Sequence, residues 1–199
     1  MQKTLVALLI LTLFTACGGT SKRIVVMSKG LATFNEAAKT IAAKDGTGHE
    51  QKTISFSESV VDLKLIAPAG ETEISLKENG LYILNVKNDT IVGSYQKYTT
   101  QSDAHNLVTQ EDLKHKIDSL QQLIIGKNAS AANRNFFILP NQVVKISDNL
   151  EAIVVSPYHQ MLSAEKVDGK DPEIYRFFSV KEVRETIIKL IALTKPATK

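Results

Sequence analysis

Cysteine and tryptophan are nearly missing from this 199-residue sequence, which has one cysteine, Cys17, and no tryptophan. A single cysteine cannot form an intramolecular disulfide, and this excludes a scaffold held together by disulfides. The absence of tryptophan makes a stacked carbohydrate-binding platform less favourable, since such a platform needs large aromatic faces. Five tyrosines could still supply one: Tyr82, Tyr95, Tyr98, Tyr158 and Tyr175.

An excess of charge is also missing. The sequence has 24 lysines and arginines against 21 acidic residues, which gives a formal net charge of +3. The basic residues are scattered rather than grouped, so we expect no nucleic-acid partner. After residue 16, no apolar run approaches the roughly 18 residues of a membrane-spanning helix.

The chain lacks the common catalytic and metal-binding motifs. It contains neither a Gly-x-Ser-x-Gly nucleophile turn nor a glycine-rich phosphate loop. After His49-Glu50, Thr53 stands where a zinc-protease helix needs a second histidine. The sequence therefore predicts no metal, no cofactor and no catalytic residue. The four histidines, which are scattered without ligand spacing, are His49, His105, His115 and His159.

The N-terminus has the pattern of an export signal. A positive charge at Lys3 is followed by an apolar run over residues 4–14. This run of about 11 residues has the length of a secretory signal and is too short to span a bilayer. The small residues Thr15 and Ala16 then precede Cys17. We therefore expect the leader to be removed.

The five residues from Leu13 to Cys17 resemble the lipobox of bacterial lipoproteins, and the resemblance covers residues 1–17 only. It implies that the leader is cut just before Cys17, that the thiol is diacylated and that the new amino group is acylated. Phe14 departs from the aliphatic residue that the lipobox prefers. Gly18 replaces the aspartate that retains some lipoproteins at the inner membrane. The resemblance thus implies a lipid anchor on Cys17 and an outer-membrane location, facing either the periplasm or the surface.

The mature chain is predicted to be a single α+β domain. We expect an antiparallel β-rich domain with a central amphipathic helix and a C-terminal helix packed on the sheets. The predicted divisions are a signal at 1–16, a lipidated tether at 17–23 and the domain at 24–199. Alternatively, the domain consists of two β-rich halves, 24–100 and 135–199, joined by a helix at 109–125.

Alternation of apolar and polar residues predicts strands over residues 53–98. In this part of the chain, short turn signals separate the strands, which predicts an antiparallel meander. Its strands are 53–57, 60–66, 72–76, 81–86 and 90–98. Apolar runs predict further strands at Ile24–Met27, Phe136–Leu139, Val143–Ile146, Leu150–Val155 and Ile174–Phe178.

The clearest helix is predicted over 109–125, with acidic residues in its first turn and Gly126 after its end. Its apolar stripe favours packing on the protein's own sheet, and the alternative is a coiled-coil seam. The stripe is Leu113, Ile117, Leu120 and Ile124. Two capping boxes predict other helices. Thr33–Glu36 predicts a helix at 34–44, and Ser179–Glu182 opens the C-terminal helix.

Two functional hypotheses follow. The first is a noncatalytic binding or scaffolding module at the bacterial envelope, whose partner is an envelope protein or a glycan. The second is an envelope hydrolase with a site near the 157–173 loop. It would use His159 with Asp168 or Asp171, beside Pro157-Tyr158. The sequence makes no prediction of the oligomeric state.

Two carboxylate pairs have a spacing that a glycosidase could use. They are Asp171 with Glu173 and Glu71 with Glu73. Such spacings are common in sequences and do not determine the distance between the carboxylates in space, so a solvated surface is the alternative interpretation.

Overall fold

The structure is a computed structural model that describes residues 19–68, 70–97, 109–156, 166 and 169–194. Within those ranges the chain forms twelve strands and two helices. Cys17, His105, residues 157–165 and Asp168 lie outside the described residues. Neither of the two described helices is long and apolar enough to cross a membrane.

The strands are β1 (Lys22–Ser28), β2 (Ala32–Asn35), β3 (Thr40–Ala43), β4 (Glu50–Phe56), β5 (Val61–Ala67), β6 (Gly70–Leu76), β7 (Gly80–Asn85), β8 (Ile91–Tyr95), β9 (Asn135–Ile138), β10 (Gln142–Ser147), β11 (Ile153–Val155) and β12 (Ile174–Ser179). The helices are α1 (Gln110–Ile124), between β8 and β9, and α2 (Val180–Thr194), directly after β12.

The strands form three four-stranded sheets. The central sheet has the order β10-β7-β1-β4, the hairpin sheet has the order β2-β3-β5-β6, and the helix-backed sheet has the order β11-β12-β8-β9. Most neighbouring strands are antiparallel, but β1 with β7, β3 with β5 and β11 with β12 are parallel. The sheets are therefore mixed, with antiparallel pairing in the majority.

Hydrophobic cores cover both faces of the central sheet. From β1, Ile24 and Val26 pack into the core shared with the hairpin sheet. Val25 and Met27 pack into the core shared with the helix-backed sheet, where they join Phe177. Every residue of β7 is buried as well. Strands covered on both faces have unbroken apolar runs, and this explains why β1 and β7 lack the alternation of a half-exposed strand.

The two helices cover the outer face of the helix-backed sheet. Ile117 and Leu123 of α1 pack with Val183 and Ile187 of α2 and with Val92 of β8. The molecule thus has four layers, in the order hairpin sheet, central sheet, helix-backed sheet and helix pair. The predicted α+β class is confirmed, and α1 packs on the protein's own sheet rather than forming a coiled-coil seam.

Both helices begin at a capping box, which had been predicted only for α2, at Ser179–Glu182. The Thr109 hydroxyl accepts a hydrogen bond of 3.1 Å from the Asp112 amide, and the Asp112 carboxylate accepts one of 3.0 Å from the Thr109 amide. In the same way, the Ser179 amide donates to the Glu182 carboxylate at 2.6 Å, and the Glu182 amide donates to the Ser179 hydroxyl at 3.2 Å. These pairs satisfy amides that the first helical turn leaves without partners.

The predicted meander is wrong, although its strands exist. Only one pair of strands consecutive in the described sequence from β4 to β8 is hydrogen-bonded, the hairpin of β5 and β6. β4 and β7 flank β1 in the central sheet, and β8 belongs to the helix-backed sheet. Alternation indicates which face of a strand is buried but carries no information on its partner, so the sheets could not be assigned from it.

The predicted helix at 34–44 is also wrong. This segment forms the β2–β3 hairpin, in which the Thr33 hydroxyl donates to the Ala42 carbonyl instead of capping a helix. Lys39 turns the chain with a positive φ of 47°. Ile41 is fully buried against the central sheet, and β3 pairs with β5. These long-range contacts outweigh the weak local preference that a capping box provides.

The folded region begins earlier than predicted. β1 starts at Lys22, inside the predicted tether of 17–23, because residues 22 and 23 pair with β4 and β7. The strands of 24–100 and 135–199 also share two sheets, since β10 joins the central sheet and β8 joins the helix-backed sheet. The two sequence halves therefore do not form separate sheets.

Candidate functional site

Two of the cavity-lined surface sites in the described structure hold a charged side chain that its neighbours fix in place. The first consists of two neighbouring cavities, of about 690 Å³ and 490 Å³, that share Arg134, Asn149 and Glu173. We call this surface the Arg134 groove. The turn before β9, the end of β10 and the segment before β12 form its walls.

Arg134 is fixed in place by its neighbours. Its backbone has a positive φ of 52°, which directs the chain into β9. Its guanidinium lies 3.8 Å from the centre of the Tyr95 ring. The same group donates to the Tyr175 hydroxyl at 3.1 Å from Nη2 and to the Glu173 carboxylate. Stacking and forked hydrogen bonding together favour arginine over lysine at such a position.

Glu173 is surrounded by hydrogen-bond donors. Its carboxylate accepts from Arg134, from the Tyr175 hydroxyl at 2.5 Å and from the Ser147 hydroxyl at 2.9 Å. Burial alone would raise the pKa of the Glu173 carboxyl, but these hydrogen bonds lower the pKa overall. Burial, together with Glu173, raises the pKa of Tyr175 to about 12. Glu173 is therefore an ionised structural acceptor rather than a proton donor near neutral pH.

Three of the four carboxylates singled out in the sequence have cationic partners in the structure. Asp171 lines the groove near Glu173, and it lies 3.7 Å from Lys166. In the hairpin sheet, Glu71 forms an ion pair of 2.6 Å with Lys64. The glycosidase mechanism needs one carboxyl that stays protonated near neutral pH, and the saturated Glu173 does not meet this requirement.

The second site is a cleft of about 530 Å³, walled by Lys29 after β1, the 47–49 loop, the turn after β7 and the start of α2. We call it the Lys87 cleft. Lys87 is only 5% exposed, and its ammonium nitrogen lies 2.5 Å from His49 Nδ1. Burial lowers the pKa of Lys87. Burial and the neighbouring Lys87 lower the pKa of His49 to about 4, so this imidazole is neutral at physiological pH.

Sequence patterns pointed to His49 only as a metal ligand, and they did not point to Lys87 or Arg134. The sequence did contain an indication that Lys87 is buried, because this lysine directly follows the mainly apolar strand predicted at 81–86. His115, by contrast, lies exposed on α1 at 3.8 Å from Glu111. Within the described residues, no group of three or more metal-ligating side chains comes together.

Comparisons with known proteins give no match: no family model, no curated protein and no solved structure is significantly similar to the chain. Functional inference therefore depends on the residues and geometry of the two sites.

Proposed function

We propose that this protein is a lipid-anchored binding module of the bacterial cell envelope and that the Arg134 groove contacts its partner, an envelope protein or a glycan. The observation that carries the proposal is the preassembled groove wall, in which Arg134, Glu173 and Tyr175 hold one another in place. A rigid polar wall loses little conformational entropy when a partner binds.

The exposure of Arg134 supports this role. Its side chain is 39% exposed, although it is held by Tyr95, Glu173 and Tyr175. The guanidinium therefore both supports the wall and faces the groove. Buried aromatic and arginine side chains with a fixed geometry are the residues that most often dominate binding energy at interfaces.

The Arg134 groove lies near the end of the fold at which the proposed lipid anchor would be attached. Ser21 is joined to the fold, because its amide donates to the Phe56 carbonyl and its carbonyl accepts from the Gly80 amide. Gly80 lies against the backbone of Ser147, a groove residue. The four Cα–Cα steps from Cys17 to Ser21 span at most about 14 Å. An acylated Cys17 would therefore hold the Arg134 groove close to the membrane surface.

The lipid anchor is tested by the substitution Cys17→Ser, which removes the acylation site. We expect the variant to leave the membrane fraction and to enter the aqueous phase in a detergent phase separation, while its thermal unfolding stays unchanged. We expect the fold to be retained because Cys17 precedes Ser21, the first of the described residues whose backbone is hydrogen-bonded to the sheet. Mass spectrometry of the mature N-terminus is the direct measurement. An unmodified Cys17 in the wild type, or equal membrane binding of both proteins, would contradict the anchor.

The binding role is tested by Arg134→Ala. We expect this change to reduce retention of the partner from solubilised envelopes, or of isolated envelope glycan, by about tenfold, which corresponds to about 1.4 kcal/mol. Lys64→Ala is the matched control, because it removes an exposed cation from the hairpin sheet.

A second groove variant separates binding from folding. Lys170 lines the groove but is not part of the Arg134 network, so Lys170→Glu should weaken retention without changing the unfolding midpoint. Equal retention by the wild type and both groove variants would refute the assignment of the groove. Hydrolysis of an envelope substrate by the wild type would instead favour the alternative function, an envelope hydrolase near the 157–173 loop.

A further inference from the structure

The Lys87 cleft lies at the opposite end of the central sheet from the proposed anchor. Lys29, which lines the cleft, directly follows β1, whereas the tether enters at the other end of that strand. A strand of seven residues is about 20 Å long. The cleft volume of about 530 Å³ lies in the range of small-molecule pockets. The cleft is therefore open to small solutes and away from the membrane side of the molecule.

The backbone around Lys87 is firmly held. Its amide donates to the Asn85 side-chain carbonyl at 3.1 Å. The Asn85 amide group in turn donates to the carbonyls of Asp89 at 2.9 Å and Ile138 at 3.0 Å. These three bonds fix the turn after β7, and they aim the Lys87 side chain at His49 across the cleft. The amine is thus positioned by a rigid turn and not by a mobile surface loop.

We propose that Lys87 is a nucleophilic amine that captures small aldehydes in this cleft as an imine. The proposal is independent of the binding role of the Arg134 groove. It rests on the combination of a cavity, a buried amine on its wall and an imidazole acceptor in contact with that amine. Lysine nucleophiles in carbonyl chemistry are activated by this kind of desolvation.

The contact with His49 suits this chemistry. Because His49 is neutral, its Nδ1 can accept a hydrogen bond from the amine. A neutral amine that donates one N–H to Nδ1 keeps its lone pair available to the cleft. Three other charged groups act on Lys87 from the surrounding elements, and they act in both directions. Burial lowers the pKa of Lys87, Glu182 and Asp89 raise it, and Lys29 lowers it further.

The reaction is balanced without any further reagent. The neutral Lys87 nitrogen adds its lone pair to the carbonyl carbon, and the carbonyl oxygen takes up a proton as the nitrogen loses one. The resulting carbinolamine expels its hydroxyl group with a proton as water, and the carbon–nitrogen double bond of the imine forms. One amine and one aldehyde thus give one imine and one water.

The test uses the lysines of the same molecule as controls. The mature protein in detergent is treated with limiting acetaldehyde and sodium cyanoborohydride, which reduces each imine to a stable ethylamine. Peptide mapping then gives the rate at each lysine between pH 6 and pH 10. At pH 7 we expect Lys87 to react at least about fivefold faster than Lys29 and Lys181, which line the same cleft. Equal or slower modification of Lys87 would overturn the proposal.

A variant tests whether the charges of the cleft control the reactivity of Lys87. Glu182→Gln removes a carboxylate that raises the pKa of Lys87, and glutamine still fits a capping box. The midpoint of the pH–rate curve of Lys87 should therefore move to lower pH, with faster modification at pH 7. The curve of Lys64, in the hairpin sheet, should not change. An unchanged midpoint for Lys87 would show that the cleft charges do not control its reactivity, and this too would overturn the proposal.

Discussion

Replacing Lys22 with methionine is expected to lower the free energy of unfolding by about 3 kcal/mol. Lys22 is fully buried at the start of β1. Its ammonium group donates to the carbonyls of Glu58 at 2.9 Å and Ser59 at 2.8 Å, and to the Asn79 side-chain carbonyl at 3.1 Å. One side chain therefore joins β1 to the turns after β4 and after β6.

Two opposing effects decide the sign of this change. Methionine removes the cost of burying an ammonium group, which favours the variant. It also removes the donor of the Ser59 carbonyl and of the Asn79 side-chain carbonyl, and each unsatisfied acceptor costs roughly 1–3 kcal/mol. The Glu58 carbonyl keeps the Ser21 hydroxyl as a donor, at 3.3 Å. Since two acceptors lose their donor and a third is left with one weaker bond, we expect destabilisation. The cost should appear in urea unfolding as a lower midpoint with an unchanged slope.

The matched control is Lys52→Met, a lysine-to-methionine change at an exposed position of the neighbouring strand β4. It should alter stability by less than about 0.5 kcal/mol. Asn79→Ala removes a single acceptor and should cost less than Lys22→Met. If Lys22→Met unfolds at the same midpoint as Lys52→Met, the three hydrogen bonds do not stabilise the fold.

Sequence patterns predicted a helix correctly where the contacts that begin it are made between residues close together in the chain. The helix start at Thr109 and the capping box at Ser179 were correct because each depends on residues within one helical turn. The same signal at Thr33 failed because Ile41 and its strand find partners in β5, more than 20 residues away. Capping energies of about 1 kcal/mol cannot compete with burial of an isoleucine and a ladder of strand hydrogen bonds.

The candidate sites were harder to predict because their partners are distant in sequence. Glu173 was singled out as one of a catalytic carboxylate pair, and its hydrogen-bond donors exclude the proton-donating role in such a pair. Arg134 was part of a loop rich in small and polar residues, and nothing local distinguishes it. The contacts that hold the Arg134 guanidinium come from Tyr95, 39 residues before it, and Tyr175, 41 residues after it. These residues come together only when β8 pairs with β9 and β12.

The substitution Gly93→Ala is expected to destabilise the protein by about 3 kcal/mol. Gly93 of β8 lies opposite Phe177 of β12. A methyl group at Gly93 would lie within 3.0 Å of three carbon atoms of the Phe177 ring. That ring is 1% exposed and packs 6.2 Å from the ring of Phe136, so it has little space into which it can move. The requirement for glycine is therefore steric and comes from the neighbouring strand.

Two further variants test whether the contact with Phe177 causes the loss of stability. Gly48→Ala is the matched control, because a methyl group there would meet nothing within 4 Å. Its effect on the free energy of unfolding should be within about 0.5 kcal/mol of zero. Adding Phe177→Leu to Gly93→Ala should recover part of the lost stability, since the smaller side chain leaves room for the methyl group. A double variant whose loss equals the sum of the two single losses would show that Gly93 and Phe177 are not in contact, because contacting residues give non-additive effects.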